Sequence, residues 1–213
     1  WPPDGNINDT AVVASGLDCL IDLAGAKWIT ISGFTLTGTR NAGTNLHRRG
    51  YEGYGAMFPM PEYDYCGEAI HLKNTEFCII ENNHFDAVGG NAIYLENYNL
   101  KNIIRRNEIS YAGHSGIALA GTRIYDTVPH HPLANQITDN NIHHCGVFDK
   151  VSPAVFCALS DGNIIGHNQF EHTPTHAVNL GDTGYGRNII EYNRIRHTCQ
   201  ETHDNGAIMS WME

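Results

Sequence analysis

The stretch IIENNHF, residues 79–85, decides the fold because its pattern returns along the chain. Two β-branched residues are followed by an asparagine three positions later, and the unit ends on isoleucine or phenylalanine. A repeat of roughly 20–50 residues is typical of solenoids, whose stacked units bury a shared core. Four further copies, one with its first isoleucine replaced, are IIRRNEI (103–109), QITDNNI (136–142), IIGHNQF (164–170) and IIEYNRI (189–195).

A second unit accompanies these copies. It alternates apolar and polar residues, the period-2 pattern of a half-buried strand, and amphipathic helical periodicity is absent. Its copies are GEAIHL (67–72), GNAIYL (90–95), HSGIAL (114–119), SPAVFC (152–157), THAVNL (175–180) and NGAIMS (205–210). The apolar positions are expected to form the core, and the outward positions are expected to include His71, Tyr94, Ala118, Phe156, Asn179 and Met209.

The recurring asparagines are expected to stack on one another. Each follows a strand, where the chain must bend, and Asn tolerates the left-handed conformation that a bend can need. Stacked Asn side chains can also hydrogen-bond from one rung to the next. An earlier stretch, WITISGF (28–34), places Ser32 at this position. We therefore predict a structural ladder of Asn83, Asn107, Asn140, Asn168 and Asn193.

The two units together resemble the right-handed parallel β-helix proteins with pectate-lyase-like coils. In that family each coil has three strands, and an asparagine ladder marks the turn between the second and the third. The resemblance runs from about residue 28 to the end. It implies an all-β solenoid of about six to seven coils, in a single domain over residues 1–213. Because the chain begins with Trp1 and ends in the strand-like GAIMSWME, we expect a fragment of a longer protein, truncated at its C-terminus.

Charge and composition narrow the expected partners. The net charge is −10 with only 13 Lys plus Arg, which disfavours nucleic acid, since phosphate binding needs clustered cations. The same acidity disfavours polyuronates and leaves neutral sugars compatible. No window approaches the roughly 18 apolar residues of a membrane-spanning helix. The six cysteines form no CxxC motif and no dense framework, so the redox compartment and the disulfide state stay open.

Variation in loop length locates the expected working face. If the asparagine turns are fixed, the variable segments flank the G-x-A-I-x-L strands, and function concentrates on loops that a rigid scaffold positions. The main insertions lie at about residues 40–66, 120–135 and 143–153. A groove is therefore predicted on the outward face of these strands. Tyr94 and Phe156 would there either stack on sugar rings or pack against the flanking loops.

Acidic residues border the predicted groove. The loop RHTCQETHDN (196–205) precedes the last strand, and Asp182 and Asp161 end the two preceding strands, although both also suit turns. Rungs about 4.8 Å apart can supply the carboxylate spacing of retaining glycosidases, about 5–5.5 Å, or of inverting ones, about 6.5–9.5 Å. The predicted catalytic residues are Asp204, Glu201, Asp182 and Asp161, and the predicted substrate-binding residues are His176, His203, Asn179, Tyr94 and Phe156.

The run from Thr175 to Ile208 carries a narrower resemblance. It is similar to a stretch of bacterial β-helix glycoside hydrolases of the fucosidase and xylanase-like group, in which H-G-I precedes G-x-N-x-I-E-Y-N-x-I and C-x-E-x-x-D-x-G-A-I. Ala177 departs from the glycine of H-G-I. The resemblance implies a secreted, periplasmic or cell-surface glycoside hydrolase acting on an oligo- or polysaccharide. The matching positions are His176, Gly186, Asn188, Glu191, Asn193, Cys199, Glu201, Asp204 and Gly206.

Two other functions stay open. A polysaccharide lyase would use a cation, usually Ca²⁺, with a Lys or Arg base, but Lys150 and Arg187 are the only cations near the predicted groove segments. A non-catalytic glycan-binding or adhesin β-helix would instead combine scattered carboxylates with aromatic residues. Converging carboxylates would favour the hydrolase.

The histidines are expected to have a structural use, and no required cofactor is predicted. The 13 histidines include neither an HExxH motif nor a zinc-finger spacing. Histidines recur near one point of each coil, which predicts a stack on the surface. His84, His143 and His144 follow asparagine turns, and His172 and His197 do so more loosely. Glu201 and Asp204 could still bind Ca²⁺ through their oxygens.

Overall fold

The computed structural model describes residues 15–40, 67–121, 130–181, 186–203 and 206–210. Over these residues the chain forms twenty β-strands and no helix. Every strand pairing in the described ranges is parallel, and each sheet pairs strands from successive turns of the chain. Each turn thus adds one strand to each of three sheets, which is the architecture of a parallel β-helix. The predicted all-β solenoid is confirmed. The predicted insertion at 40–66 lies almost wholly outside the described residues.

The first sheet collects the G-x-A-I-x-L units. Its strands pair in the order of the chain, and β11 (Pro132–Leu133) adds to it beside the end of β7. The main strands, which we number as rungs one to seven, are β1 (Ile21–Asp22), β4 (Ile70–Glu76), β7 (Ile93–Leu100), β10 (Ile117–Ala120), β14 (Val155–Ala158), β17 (Val178–Gly181) and β20 (Ile208–Ser210).

The I-I-x-x-N units supply the other two sheets, with six strands each. The second sheet contains β2 (Thr30–Ser32), β5 (Ile79–Glu81), β8 (Ile103–Arg105), β12 (Gln136–Thr138), β15 (Ile164–Gly166) and β18 (Ile189–Glu191). The third sheet contains β3 (Thr35–Thr37), β6 (His84–Asp86), β9 (Glu108–Ser110), β13 (Asn141–His143), β16 (Gln169–Glu171) and β19 (Arg194–Arg196).

Alternation along the strands builds the core between the sheets. The second isoleucine of the repeat points inward, and Ile80, Ile104 and Ile137 are almost inaccessible to solvent. Ile70 and Leu72 of the first sheet are equally buried, and the same positions repeat on the following rungs. Burial of one such side chain contributes about 1.5–3 kcal/mol, so the stacked rungs, rather than any single strand, stabilise the fold.

The predicted asparagine ladder is confirmed at the turn between the second and third sheets. Oδ1 of Asn107 accepts hydrogen bonds from the backbone N–H of Asn83 at 3.0 Å and from its Nδ2 at 3.1 Å. Nδ2 of Asn107 donates to the carbonyl of Ile80. The same bonds link Asn107 to Asn140, Asn140 to Asn168 and Asn168 to Asn193.

A second ladder lies at the turn between the first and second sheets. Oδ1 of Asn135 accepts from both the backbone N–H and Nδ2 of Asn102, at 2.9 and 3.1 Å, and the bonds continue through Asn163 to Asn188. These asparagines stand five positions before those of the first ladder. The repeat is therefore N-x-I-x-x-N over its last four copies, a signal that the shorter pattern left out.

The alignment of Ser32 with the asparagine ladder is wrong. Thr30 pairs with Ile79, so Ser32 pairs with Glu81, and Phe34 stands at the ladder position. The backbone N–H of Phe34 donates to Oδ1 of Asn83 at 3.0 Å, which makes Phe34 the end of the ladder. A first copy without asparagine gave the sequence pattern nothing to fix its register.

Each corner of the coil holds one residue in the left-handed region, most of them not glycine. Their φ angles lie between 51 and 62° at the non-glycine positions. The side chains at successive rungs form three columns on the surface. The first corner carries Trp28, Phe77, Lys101, Ala134 and Arg187; the second carries Asn82, Arg106, Asp139, His167 and Tyr192; the third carries Ala87, Tyr111, His144, His172 and His197.

Candidate functional site

The outward positions of the first sheet form one column, as predicted. The paired residues in consecutive rungs are Asp22, His71, Tyr94, Ala118, Phe156, Asn179 and Met209. A second outward column, two residues further along each strand, includes Lys73, Glu96, Ala120, Ala158 and Gly181. The first rungs of this face carry charged side chains, the middle rungs are apolar, and the last rungs carry uncharged polar side chains.

The middle of the face is apolar and closed. Phe156 is only 3% exposed and packs with Ala118, Ala120 and Ala158, and Tyr94 lies against the same cluster. Gly181 keeps this packing possible, because a Cβ there would lie 3.2 Å from the Phe156 ring. Of the two interpretations of Phe156, packing is the one that its burial favours, and a ring this inaccessible does not offer a face to a sugar.

The first rungs of the face hold a buried polar cluster. Nε2 of His71 lies 2.8 Å from Oε2 of Glu96, and Nζ of Lys73 donates to Oε1 of Glu96 at 2.7 Å. Nδ1 of His71 lies 3.4 Å from Oδ1 of Asp22, whose side chain is about half exposed. The Tyr94 ring lies beside His71, with 5.8 Å between the ring centroids. We call Asp22, His71, Lys73 and Glu96 the His71 cluster.

The protonation of the His71 cluster follows from its contacts. Burial acts to raise the pKa of Glu96, but the hydrogen bonds and charges of His71 and Lys73 outweigh it and leave that pKa below its usual range. Glu96 is therefore an ionised carboxylate at neutral pH and can only accept hydrogen bonds, so Nε2 of His71 carries a proton. The second ring nitrogen, Nδ1, then faces the carboxylate of Asp22.

The last rungs of the face hold two predicted substrate-binding residues. His176 is buried, and its Nδ1 donates to the carbonyl of Gly206 at 2.9 Å, which leaves Nε2 as the acceptor in the neutral ring. Asn179 is 5% exposed, and its Oδ1 has no hydrogen-bond partner within the described ranges. An unsatisfied buried amide oxygen is uncommon and marks a place where a ligand hydroxyl can donate.

Asp161 is held by an ion pair. Its carboxylate binds the guanidinium of Arg187 through two hydrogen bonds, one of them 2.8 Å from Nε to Oδ1. Its backbone bridges Leu133 and Gly186 on the neighbouring rungs, at the first corner and beyond the outward columns. The hydrogen bonds and the charge of Asp161 raise the pKa of Arg187. A carboxylate in a bidentate pair at a corner matches the turn interpretation better than the catalytic one.

Glu201 and His203 lie on the surface. The Glu201 carboxylate is half exposed and accepts a hydrogen bond from Nζ of Lys150 at 3.0 Å, and His203 is exposed. Backbone bonds from Glu201 and Thr202 to the carbonyl of Pro174 fix this loop against the previous rung. The remaining predicted catalytic residues, Asp204 and Asp182, lie outside the described residues.

Sequence reasoning missed Lys73 and Glu96. The expectation that Lys150 and Arg187 are the only cations near the groove is wrong, because Lys73 stands on the same face as His71. Lys73 ends GEAIHLK and Glu96 ends GNAIYLE, and each stands two positions after an outward residue of its strand. The alternation of inward and outward residues could therefore have predicted both. Lys150 and Arg187, in turn, pair with Glu201 and Asp161.

The predicted histidine stack is confirmed at the third corner for His144, His172 and His197, whereas His84 lies outside it. His144 and His172 stack with 4.6 Å between ring centroids, and His172 and His197 follow at 4.9 Å. His143 lies beside the stack and joins a second carboxylate–imidazole pair, with 2.6 Å from its Nε2 to Oε1 of Glu108. Within the described residues, no three His, Cys, Asp or Glu side chains converge as metal ligands.

Comparisons with known proteins define the family. No curated protein and no solved structure matches the chain. The described part of the chain has no helix long and apolar enough to cross a membrane. Residues 66–206 match the family model described as the right handed beta helix region. This match covers most of the chain, and the three parallel sheets agree with it, so the chain belongs to the right-handed β-helix family.

Proposed function

We propose that this chain is a carbohydrate-active enzyme, a glycoside hydrolase that cleaves a neutral oligo- or polysaccharide on the outward face of the first sheet. One observation carries the proposal. Two carboxylates, Asp22 and Glu96, contact the same imidazole, His71, at the charged end of that face. Groups placed in this way can take part in the proton transfer that glycosidic bond cleavage requires. A secreted, periplasmic or cell-surface location would suit this substrate.

The chemistry assigns different roles to the two carboxylates. Hydrolysis breaks the bond between the anomeric carbon and the glycosidic oxygen, forms a bond from that carbon to a water oxygen, and moves one water proton to the leaving oxygen. The Asp22 carboxyl is about half exposed and is the group that can exchange that proton with the substrate, while His71 lies buried behind it. Glu96 stays ionised and fixes the orientation of His71, so Glu96 is a positioning residue.

The charges favour an uncharged substrate. The His71 cluster holds two carboxylates and one ammonium group, and the whole chain has a net charge of −10. A uronate would meet repulsion there, whereas sugar hydroxyls can bind to carboxylate and amide oxygens. Tyr94 lies beside His71, and Asn179 and His176 lie on later rungs of the same sheet. We assign substrate binding to these three residues.

The decisive experiment measures release of reducing ends from a panel of neutral polysaccharides. Replacing His71 by Ala should lower turnover by about 10²–10⁴-fold, the usual size of a general acid–base contribution. Glu96→Gln should also lower it, by a smaller factor. Glu108→Gln is the matched control, since Glu108 forms the same kind of pair with His143 on the third sheet. Equal activity of the His71 and Glu108 variants would refute the proposal.

Asp204 offers a different catalytic centre in the same kind of enzyme. It remains a proposed catalytic residue together with Asp182, which follows the strand of Asn179 in the sequence. Asp204→Asn and His71→Ala therefore form a second comparison in the same assay. A loss of turnover only in the Asp204 variant would move the catalytic centre to the last rungs, and a loss only in the His71 variant would keep it at the His71 cluster.

One observation favours a polysaccharide lyase as the second candidate. Lys73 places an ammonium group beside a carboxylate and an imidazole on the first sheet. Elimination uses no water and leaves a carbon–carbon double bond conjugated to the uronate carboxylate, which absorbs ultraviolet light. Rising absorbance during incubation with a polyuronate and Ca²⁺, and its loss in Lys73→Met, would support the lyase over the hydrolase.

A further inference from the structure

The aromatic column at the third corner ends abruptly at Tyr111. The Tyr111 ring stacks on His144 with 5.0 Å between centroids, and the column continues through His172 and His197 at nearly the same spacing. On the other side of Tyr111, the equivalent positions are Ala87 and Gly38, which carry no ring. Among the described residues, therefore, no ring stacks on this face of Tyr111, which leaves a vacant place in the column there, and the side chain is 49% exposed.

A carboxylate borders this vacant place. Asp86 directly precedes Ala87 and points outward from the third sheet, where Ser110 is its strand partner. Oγ of Ser110 donates to Oδ1 of Asp86 at 2.9 Å, and no hydrogen bond from the described residues engages the second oxygen, Oδ2. An aromatic face and a fixed carboxylate thus meet at one corner of the coil.

We propose that the place above Ala87 binds one pyranose ring of a neutral glycan, with the ring stacked on Tyr111 and a hydroxyl donating to Asp86. Rungs about 4.8 Å apart leave room for one ring in the column, as the stacked histidines demonstrate on the following rungs. A sugar has both an apolar face for the tyrosine and hydroxyl donors for the carboxylate. A phosphate-bearing ring such as a nucleotide is disfavoured by Asp86 and by the net charge of −10.

This site is separate from the proposed catalytic face. Tyr111 and Asp86 belong to the third corner and the third sheet, whereas the His71 cluster belongs to the first sheet. The inference goes beyond the proposed function, because binding at Tyr111 requires no bond cleavage. It would hold either another part of the glycan bound at the first sheet or a neighbouring glycan chain against the outside of the solenoid.

The test uses saturation-transfer NMR on the whole chain with methyl glycosides of glucose, galactose, xylose, arabinose and fucose and their common disaccharides. At least one sugar should receive saturation, and Tyr111→Ala should raise its dissociation constant by about tenfold, as expected for a lost aromatic contact. Tyr111→Phe should retain binding. Tyr192→Ala is the matched control, since Tyr192 is 78% exposed and stacks on His167 at the second corner.

A filling variant makes the test independent of damage to Tyr111. Ala87 has a φ of 51°, close to the 55° of His144, so Ala87→His should complete the column without strain. It should weaken the transfer to the same sugar that Tyr111→Ala weakens, since the first sheet can still bind sugar, while the melting temperature stays unchanged or rises. Absence of transfer to every sugar, or transfer that neither Tyr111→Ala nor Ala87→His weakens, would overturn the inference. Loss of hydrolysis in His71→Ala with retained binding would leave this site standing alone.

Discussion

Glu96 reaches His71 diagonally, across two neighbouring strands of the first sheet. His71 pairs directly with Tyr94, and Glu96 pairs with Lys73, yet Oε2 of Glu96 lies 2.8 Å from Nε2 of His71. Both side chains point away from the core and are nevertheless almost wholly buried. The contact exists only in this register, since a shift of one residue would turn one of the two side chains to the other face of the sheet.

Removing the Glu96 charge should destabilise the chain at neutral pH and much less in acid. The folded-state pKa of Glu96 is lowered by His71 and Lys73, although burial opposes this. A lowered carboxyl pKa gives stability that is present above the unfolded-state value, about 4.3, and is lost as the pH falls through the folded-state value. Glu96→Gln should cost about 1.5–3 kcal/mol at pH 7. Urea unfolding at pH 7 and pH 3 measures this, and an equal cost at both would contradict it.

Breaking the asparagine ladder should be costly in its middle. Asn107→Ala leaves the backbone N–H of Asn83 without its acceptor, leaves Nδ2 of Asn83 with only its bond to the carbonyl of Ile31, and removes the amide donor to the carbonyl of Ile80. Unsatisfied buried groups cost about 1–3 kcal/mol each, so we expect a loss of about 3 kcal/mol or more. Asn141→Ala is the control, because the Asn141 side chain lies partly exposed and, within the described ranges, bonds only to Glu108. Similar losses in the two variants, measured by chemical denaturation, would argue against the ladder.

The left-handed corners should respond to glycine in the opposite way from the core. Ala134 has a φ of 53°, which costs a residue with a Cβ about 1–2 kcal/mol. Ala134→Gly removes that cost and adds about 0.4–1 kcal/mol of unfolded-state entropy, so the melting temperature should hold or rise slightly. Ala154→Gly, in the core and without a positive φ, should lower it. A fall of equal size in both variants would contradict the corner geometry.

Asp161 should behave as a structural residue. Its bidentate pair with Arg187 ties two consecutive rungs together, so Asp161→Asn should lower the melting temperature. Turnover on a polysaccharide that the chain cleaves should stay within about twofold below the melting transition, since Asp161 lies away from the His71 cluster. A loss of turnover of orders of magnitude in a stably folded Asp161→Asn variant would restore its predicted catalytic role.

The histidine stack should make the free energy of unfolding decrease in weak acid. Burial, followed by the charges of His143 and His172, lowers the pKa of His144. A base with a lowered folded-state pKa contributes stability above its unfolded-state value, about 6.5, and that stability is lost as the pH falls through the folded-state value. His144→Phe keeps a ring that cannot titrate and should flatten the melting temperature between pH 7 and pH 5. His84→Phe, at an exposed position outside the stack, should leave the slope unchanged.

The repeat by itself determined the solenoid. Ile80 and its equivalents had to face inward and Asn83 and its equivalents had to stack, because consecutive residues carry both the alternation and the spacing. The family match over residues 66–206 agrees with this prediction. The first copy has no asparagine, and there the sequence pattern aligned Ser32 with Asn83, although Phe34, two residues later, occupies that position. The second ladder from Asn102 to Asn188 was readable in the same repeats.

Only the tertiary structure decided which charged groups are engaged in ion pairs and which can contact a substrate. Arg187 reaches Asp161 from the following turn of the coil, and Lys150 reaches Glu201 across 51 positions of sequence. Glu96 meets His71 only because two strands lie side by side. Local sequence fixes which face a side chain takes, since the pleat alternates every residue. The partner on that face comes from another turn, and its position depends on how loops of different length close each coil.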